Sequence, residues 1–213
     1  MPVLLQGVVG STAYGLAREG SDVDMLGIFQ YRTRELLRFN PPAETIVMHA
    51  PSDVASHEVG KFIRLALKCN PTIIELLWLD EYTDMNFAGR DLVDMRGVFL
   101  SEKYVRASYL GYANAQIKKM LDRGMSDPRG PKHTRHCFRL LRQGHELLTT
   151  GQLTIMVPDP EFYWQFDTLD ADAVLSMFRA ESAKVADAKS ALLAEPHTAV
   201  LEDWYLQLRK DNW

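Results

Sequence analysis

The chain has 213 residues, 46% of them hydrophobic and 24% charged, with a net charge of −4. This is the composition of a globular protein with ample core material, and it argues against a disordered or fibrous chain. No apolar run approaches the ~18 residues of a membrane span, and two cysteines, Cys69 and Cys137, are too few for a disulfide framework.

The opening Met1-Pro2-Val3-Leu4-Leu5-Gln6 is short, lacks a basic leader and meets a Gly-rich turn, unlike a secretory signal. With the low cysteine usage, this makes the cytoplasm the expected location. Val3 to Val9 is an apolar run that stops at Gly10-Ser11, as a buried strand would. Residues 12–19 suit a short helix or turn ended by Gly20. Asp22 to Phe29 starts polar and turns apolar and β-branched, a second strand. Thr45 to His49 and Asp53 to His57 are further strand candidates. From about Glu58 the period changes, with Phe62, Leu65, Ala66 and Cys69 at helical spacing. Asn70-Pro71 ends that helix and opens another carrying Ile73, Ile74, Leu76, Leu77 and Trp78. Helical patterns follow at about 102–123, 132–149, 171–193 and 198–210, with Gly151 as a stop after the second. Strands first and helices afterwards predict an α+β fold. The expected division is an α+β core over 1–100 and a helical region over 101–213 that packs on it.

Charge is unevenly spread. Lys118, Lys119, Arg123, Arg129, Lys132, Arg135, Arg139 and Arg142 face only Asp122 and Asp127 within their segment, a local charge of +6. A basic patch on an acidic chain points to a specific anionic ligand more than to general polyanion binding. On a helical wheel Lys132, Arg135, Arg139 and Arg142 share one flank, with His136 at its border, while Cys137, Phe138, Leu141 and Leu148 share another side. By itself this pattern describes an amphipathic helix with a solvated basic face.

The stretch with most chemistry is Gly10-Ser11-Thr12-Ala13-Tyr14-Gly15-Leu16, followed by Ser21-Asp22-Val23-Asp24. Strand alternation predicts Asp22 and Asp24 on one side and Val23 in the core. Two such carboxylates repel each other unless a cation lies between them. Hard oxygen ligands suit Mg²⁺ or Mn²⁺, completed by water and substrate phosphates. The backbone N–H groups of Gly10 and Ser11, with the Ser11 hydroxyl, are candidates for the phosphates of the same nucleotide. An isolated Asp-X-Asp is usually a solvated pair; joined to a Gly-Ser turn between two strand-like runs, it is more specific.

These residues resemble the signature of the DNA polymerase β nucleotidyltransferase superfamily. The form Gly-Ser-X-X-Tyr-Gly-Leu with Ser-Asp-X-Asp is similar to a bacterial and phage group that includes members associated with RNA repair. Lys61-Phe62, Arg64-Leu65, Asn70-Pro71, Glu75-Leu76-Leu77, His136, Arg139-Leu140-Leu141 and Glu146-Leu147-Leu148 extend the likeness over most of 7–155. The resemblance implies a polymerase-β-like core, a small mixed sheet with flanking helices, and a third carboxylate from a neighbouring strand. Asp53 is the first choice because it opens the run before the Lys61 helix; Glu58 is the competitor. The resemblance also moves His136 and Arg139 toward the nucleotide. Lys132 and Arg135 are candidates for phosphate or for an RNA backbone, and Lys61 and Lys68 for phosphate or for the wet side of a core helix. Glu75 is expected to hold a structural hydrogen bond. The histidines show no paired zinc spacing.

The implied reaction is in-line attack of a hydroxyl on the α-phosphorus of a nucleoside triphosphate with release of pyrophosphate, using Mg²⁺ or Mn²⁺ held by Asp22, Asp24 and Asp53. RNA (a tRNA or an RNA 3′ end) and a protein hydroxyl are the leading acceptor classes. A catalytically silent nucleotide-binding regulator is the alternative of another kind.

Overall fold

The computed structural model describes residues 1–49 and 53–213. These form an α+β structure that divides into two compact units, Met1–Phe99 with Pro196–Trp213, and Leu100–Glu195. The C-terminal segment Pro196–Trp213 thus belongs to the first unit although it follows the second in the chain.

The first unit is built on five strands. β1 (Val3–Val9) leads through α1 (Gly10–Ala13) into β2 (Asp24–Phe29), and α2 (Thr33–Leu36) follows. β3 (Thr45–Met48) and β4 (Asp53–Glu58) come next, then α3 (Val59–Ala66) and α4 (Pro71–Ile74), the latter continued by a 3₁₀ turn over Glu75–Trp78. β5 (Asp84–Met85) and α5 (Phe87–Asp94) complete this stretch. The sheet order is β3-β4-β2-β1-β5. β2 and β4 are parallel, and the other neighbours are antiparallel. Leu4, Leu5, Ile28, Phe62, Leu76 and Leu92 are fully buried and form much of its core.

Local chemistry explains the helix ends. The Glu58 side chain accepts from Gly60 N–H at 2.7 Å and so caps α3. Asn70 caps α4 by accepting from Thr72 N–H at 3.2 Å, with Pro71 in the first turn, where its missing N–H costs nothing. Residues 79–101 have weak periodicity, and β5 and α5 there are set by contacts with β1. Asn86 caps α5 through Gly89 N–H at 3.0 Å and donates to Val3 O at 3.1 Å. A Cβ on Gly89 would lie 1.9 Å from Leu4 O, so only glycine permits this approach of helix to strand.

The second unit is helical. α6 (Glu102–Arg123) and α7 (Arg129–Thr150) are its two long helices; α8 (Pro160–Trp164) and α9 (Ala171–Asp187) complete it. α7 begins before the expected residue 132, because Asp127 Oδ1 accepts from Arg129 N–H at 2.7 Å and Pro131 fits the first turn. Its end at Gly151, with φ of 69°, is a left-handed stop. A Cβ on Gly144 would meet Tyr109 Cβ at 2.7 Å, so α6 and α7 pack in close contact there. Phe138 stacks on Phe166 at 4.5 Å between ring centres, with Phe162 edge-on to both. α9 ends at Asp187, short of the expected 193. Arg106 accounts for this by donating to the carbonyls of Val185, Ala186 and Ala188 at 2.5, 2.6 and 2.9 Å.

α10 (Ala199–Asp211) returns to the first unit. Arg209 Nη2 donates to Glu58 Oε1 at 2.6 Å and to the Tyr205 hydroxyl at 2.9 Å, and Nη1 donates to Tyr31 O at 3.3 Å. Thr33 N–H caps the helix end at Asn212 O, 2.8 Å away, and Trp204 Nε1 donates to Asp91 Oδ2 at 3.0 Å. Among the described residues no helix is long and apolar enough to cross a membrane.

Glu58 is 1% exposed, so Arg209→Met leaves a buried carboxylate without its cation. Urea denaturation should show a loss of about 3–5 kcal/mol. A loss below about 1 kcal/mol would mean that the pair does not seat α10.

Candidate functional site

The acidic end of the sheet is set by strand register. Asp24 is the first residue of β2 and lies opposite Asp53, the first residue of the parallel strand β4. Residues in register on parallel neighbours project to the same side, so the two carboxylates share one face at one end of the sheet. On the other side of β2, Asp24 lies opposite Val9, after which the chain turns at Gly10.

Gly10 has φ of +70°, and a Cβ there would stand 2.6 Å from Asp24 Oδ2. Two constraints thus call for glycine, the left-handed backbone and the space held by the carboxylate. Tyr14, which caps α1, donates its hydroxyl to Glu75 Oε2 at 2.6 Å. Glu75 is 3% exposed, so this bond anchors the turn to the segment after α4, the structural hydrogen bond expected of Glu75.

Asp22 and Val23 precede β2. Val23 is 42% exposed, which overturns the expectation that it points into the core. The alternation argument for Asp22 and Asp24 assumed a strand two residues longer than the one formed, so the pleat does not orient Asp22. The exposed Asp22 lies in the approach to the strand, beside the half-buried Asp24.

Asp53 and Glu58 sit at opposite ends of β4. Asp53 is exposed, with Oδ1 3.0 Å from Nδ1 of the exposed His49. His49 is a neighbour that no sequence spacing pointed to. Glu58 pairs in register with Phe29, about 17 Å along the strand from Asp24. It is already engaged as the α3 cap and the Arg209 partner. Asp53 is therefore the carboxylate beside Asp24.

Lys61 also lies toward the far end of β4. Its Nζ donates to Thr45 Oγ1 at 2.6 Å, and that hydroxyl lies 3.0 Å from His57 Nδ1. Burial, then the Lys61 charge, holds the His57 imidazole below its usual range. The structure does not bring Lys61 to the acidic end.

Among the described residues no group of three His, Cys, Asp or Glu side chains is gathered closely enough to hold a metal by protein ligands alone. The donors nonetheless suit a hard divalent cation. Mg²⁺ commonly takes one or two carboxylates and fills its other positions with water and substrate phosphates. Asp24 and Asp53, with Asp22 adjoining, are the residues that could take that role.

Lys132, His136 and Arg139 lie on α7 in the second unit. Lys132 is exposed. Arg139 is 1% exposed and donates from Nη1 to Gln143 Oε1 at 2.5 Å, while Gln143 donates to Thr154 O at 3.0 Å. Arg135 pairs with Asp167 and lies 4.9 Å from the centre of the Trp164 ring; Arg142 lies 3.3 Å from that of Phe162. The flank predicted as one basic face is therefore divided, with only its first turn in solvent.

His136 Nε2 is buried without a hydrogen-bond partner. Burial, reinforced by the charge of Arg139 and more weakly by His133, Lys119 and Lys132, lowers its imidazole to about 3. The native chain keeps this ring neutral while the unfolded chain protonates it near pH 6.5. Its stability contribution is therefore complete above pH 6.5 and falls as pH drops, by up to about 1.4 kcal/mol per unit. His136→Gln should remove about 2 kcal/mol of the stability difference between pH 7 and pH 5, read by urea denaturation at both. An unchanged difference would contradict the neutral buried ring.

The fold and the Gly-Ser turn beside an acidic pair agree with the comparison to known families. The RNA repair pathway DNA polymerase beta family matches residues 1–192, nearly the whole chain. No curated protein matches it. With that extent of match, the chain belongs to the RNA repair pathway DNA polymerase beta family, a group of polymerase-β-like nucleotidyltransferases.

Proposed function

We propose that the protein transfers a nucleoside monophosphate from a nucleoside triphosphate, ATP among the candidates, to a hydroxyl on RNA, a tRNA or an RNA 3′ end, releasing pyrophosphate. The observation that carries this reading is the register of Asp24 against Asp53 beside the Gly10 turn, in a chain of this family. Bound Mg²⁺ or Mn²⁺ would neutralise the triphosphate and make the acceptor hydroxyl more acidic. Asp22 and Asp24 would hold the ion on the triphosphate, and Asp53 would complete the position nearest the acceptor. Asp53 would also take the acceptor proton, and His49, at 3.0 Å, would steady its carboxylate. Gly10 and Ser11 would hold the phosphates through backbone N–H groups and the Ser11 hydroxyl, and the Tyr14–Glu75 bond would keep that turn in place.

Each α-labelled triphosphate, incubated with Mg²⁺ or Mn²⁺, the protein and total cell RNA, should leave label on RNA and release pyrophosphate. Label on protein instead would favour protein nucleotidylation, and tight binding without turnover would favour a regulator. Asp24→Asn should abolish transfer while leaving a cooperative thermal melt, which separates loss of the carboxylate from loss of the fold. Gly10→Ala should reduce kcat about 100-fold by displacing the Asp24 carboxylate by around 1 Å. Near-normal transfer by Asp24→Asn would end the proposal.

A further inference from the structure

The first half of the basic segment is not absorbed by the acidic end of the sheet. Lys118, Lys119 and Arg123 stand on the last turns of α6, and Arg129 and Lys132 on the first turn of α7; all five are exposed. None of the ion pairs among the described residues involves Lys118, Lys119, Arg129 or Lys132, and Arg123 reaches only Asp127, at 3.8 Å. This contrasts with Arg135, Arg139 and Arg142 further along α7, whose guanidinium groups are held inside the unit.

The two helix ends are locked together. His133 Nδ1 lies 2.8 Å from Gln116 Oε1, joining α7 to α6 beneath the cations. The His133 ring is held below its usual range first by burial and then by Lys119, Arg123, Lys132 and Arg129, so four cations lie within electrostatic reach of one ring. Such a concentration is repulsive in the free protein and becomes favourable when a row of anions lies across it.

A cleft of about 430 Å³ leads away from this cluster along α6, lined by Ala107, Gly111, Tyr112, Ala115, Gln116 and Lys119. Small residues at 107, 111 and 115 open it, and Tyr112, 36% exposed, supplies an aromatic face. Lys119 belongs both to the cleft and to the cationic cluster. An aromatic platform beside a line of exposed cations is the arrangement that holds single-stranded nucleic acid, stacking a base while phosphates meet the charges.

We infer that the α6–α7 surface binds a single-stranded stretch of the acceptor RNA, with Lys119, Arg123, Arg129 and Lys132 on its phosphates and a base stacked on Tyr112. The identity of the strand as acceptor rests on the transferase reading above; the binding itself does not. Charge complementarity selects this occupant, because five exposed cations stand here against only Asp122 and Asp127, on a chain whose net charge is −4.

Fluorescence anisotropy with a labelled single-stranded RNA oligonucleotide, without nucleotide or divalent metal, tests the surface. Four phosphate contacts predict a slope of log affinity against log salt of about −2.8, or about 50-fold weaker binding from 50 to 200 mM salt. Lys119→Gln with Lys132→Gln should reduce that to about sevenfold, and Tyr112→Ala should weaken binding at least about fivefold. All three sites are exposed, so the variants should fold, and an unchanged circular dichroism melt checks that they do. No binding by the wild type, a salt slope untouched by the double variant, or polyglutamate binding with the same lysine dependence would overturn the proposal. Failure of these measurements leaves pyrophosphate release from a triphosphate unaffected; absence of that release in a protein that still binds RNA counts against the transferase reading alone.

Discussion

The parallel pairing of β2 with β4 is the constraint on which the candidate site depends. It sets Asp24 and Asp53 side by side at one end of the sheet, with their carboxylates on one face. A slip of one residue would send one of them to the opposite face, because side chains alternate along a strand. The register is held by the rest of the pair, where Leu26 and Ile28 are buried and Glu58 caps the helix that follows. Carboxylates placed together on one face repel each other unless a cation lies between them. Cation binding would reverse that, which is the physical logic of placing acids together on a rigid sheet.

β4 shows how one short strand gives two acids opposite uses. Asp53 is exposed and beside Asp24, open to a ligand. Glu58 is buried, accepts from Gly60 N–H and is neutralised by Arg209, the last-turn cation of α10. The same pair brings the C-terminal helix into the first unit. Residues 193–213 lie beyond the family match, so the helix that completes this unit belongs to the part of the chain the family does not cover.

α7 divides its cations similarly. Its first turn leaves Arg129 and Lys132 in solvent, while Arg135, Arg139 and Arg142 pack on Asp167 and Trp164, Gln143, and Phe162 respectively. A guanidinium tolerates such burial because its flat face stacks on rings while its edge donates hydrogen bonds. A lysine in the same place would lose both.

The sequence by itself determined the α+β class, the first four strands to within about two residues, the long helices and the turn at Gly10 between the first two strands. These follow from local rules: side-chain period, proline and glycine placement, and capping residues. Tertiary structure alone decided that Asp53 lies beside Asp24 while Glu58 is buried against Arg209, the exposure of Val23, the Lys61–Thr45 bond and the return of α10 to the first unit. It also decided which arginines of α7 are internal. Each depends on which distant segment supplies the partner: β2 for Asp53, Arg209 for Glu58, the Phe162 region for Arg142. Periodicity reports the face of an element but not its neighbour, and charge and burial are settled by the neighbour.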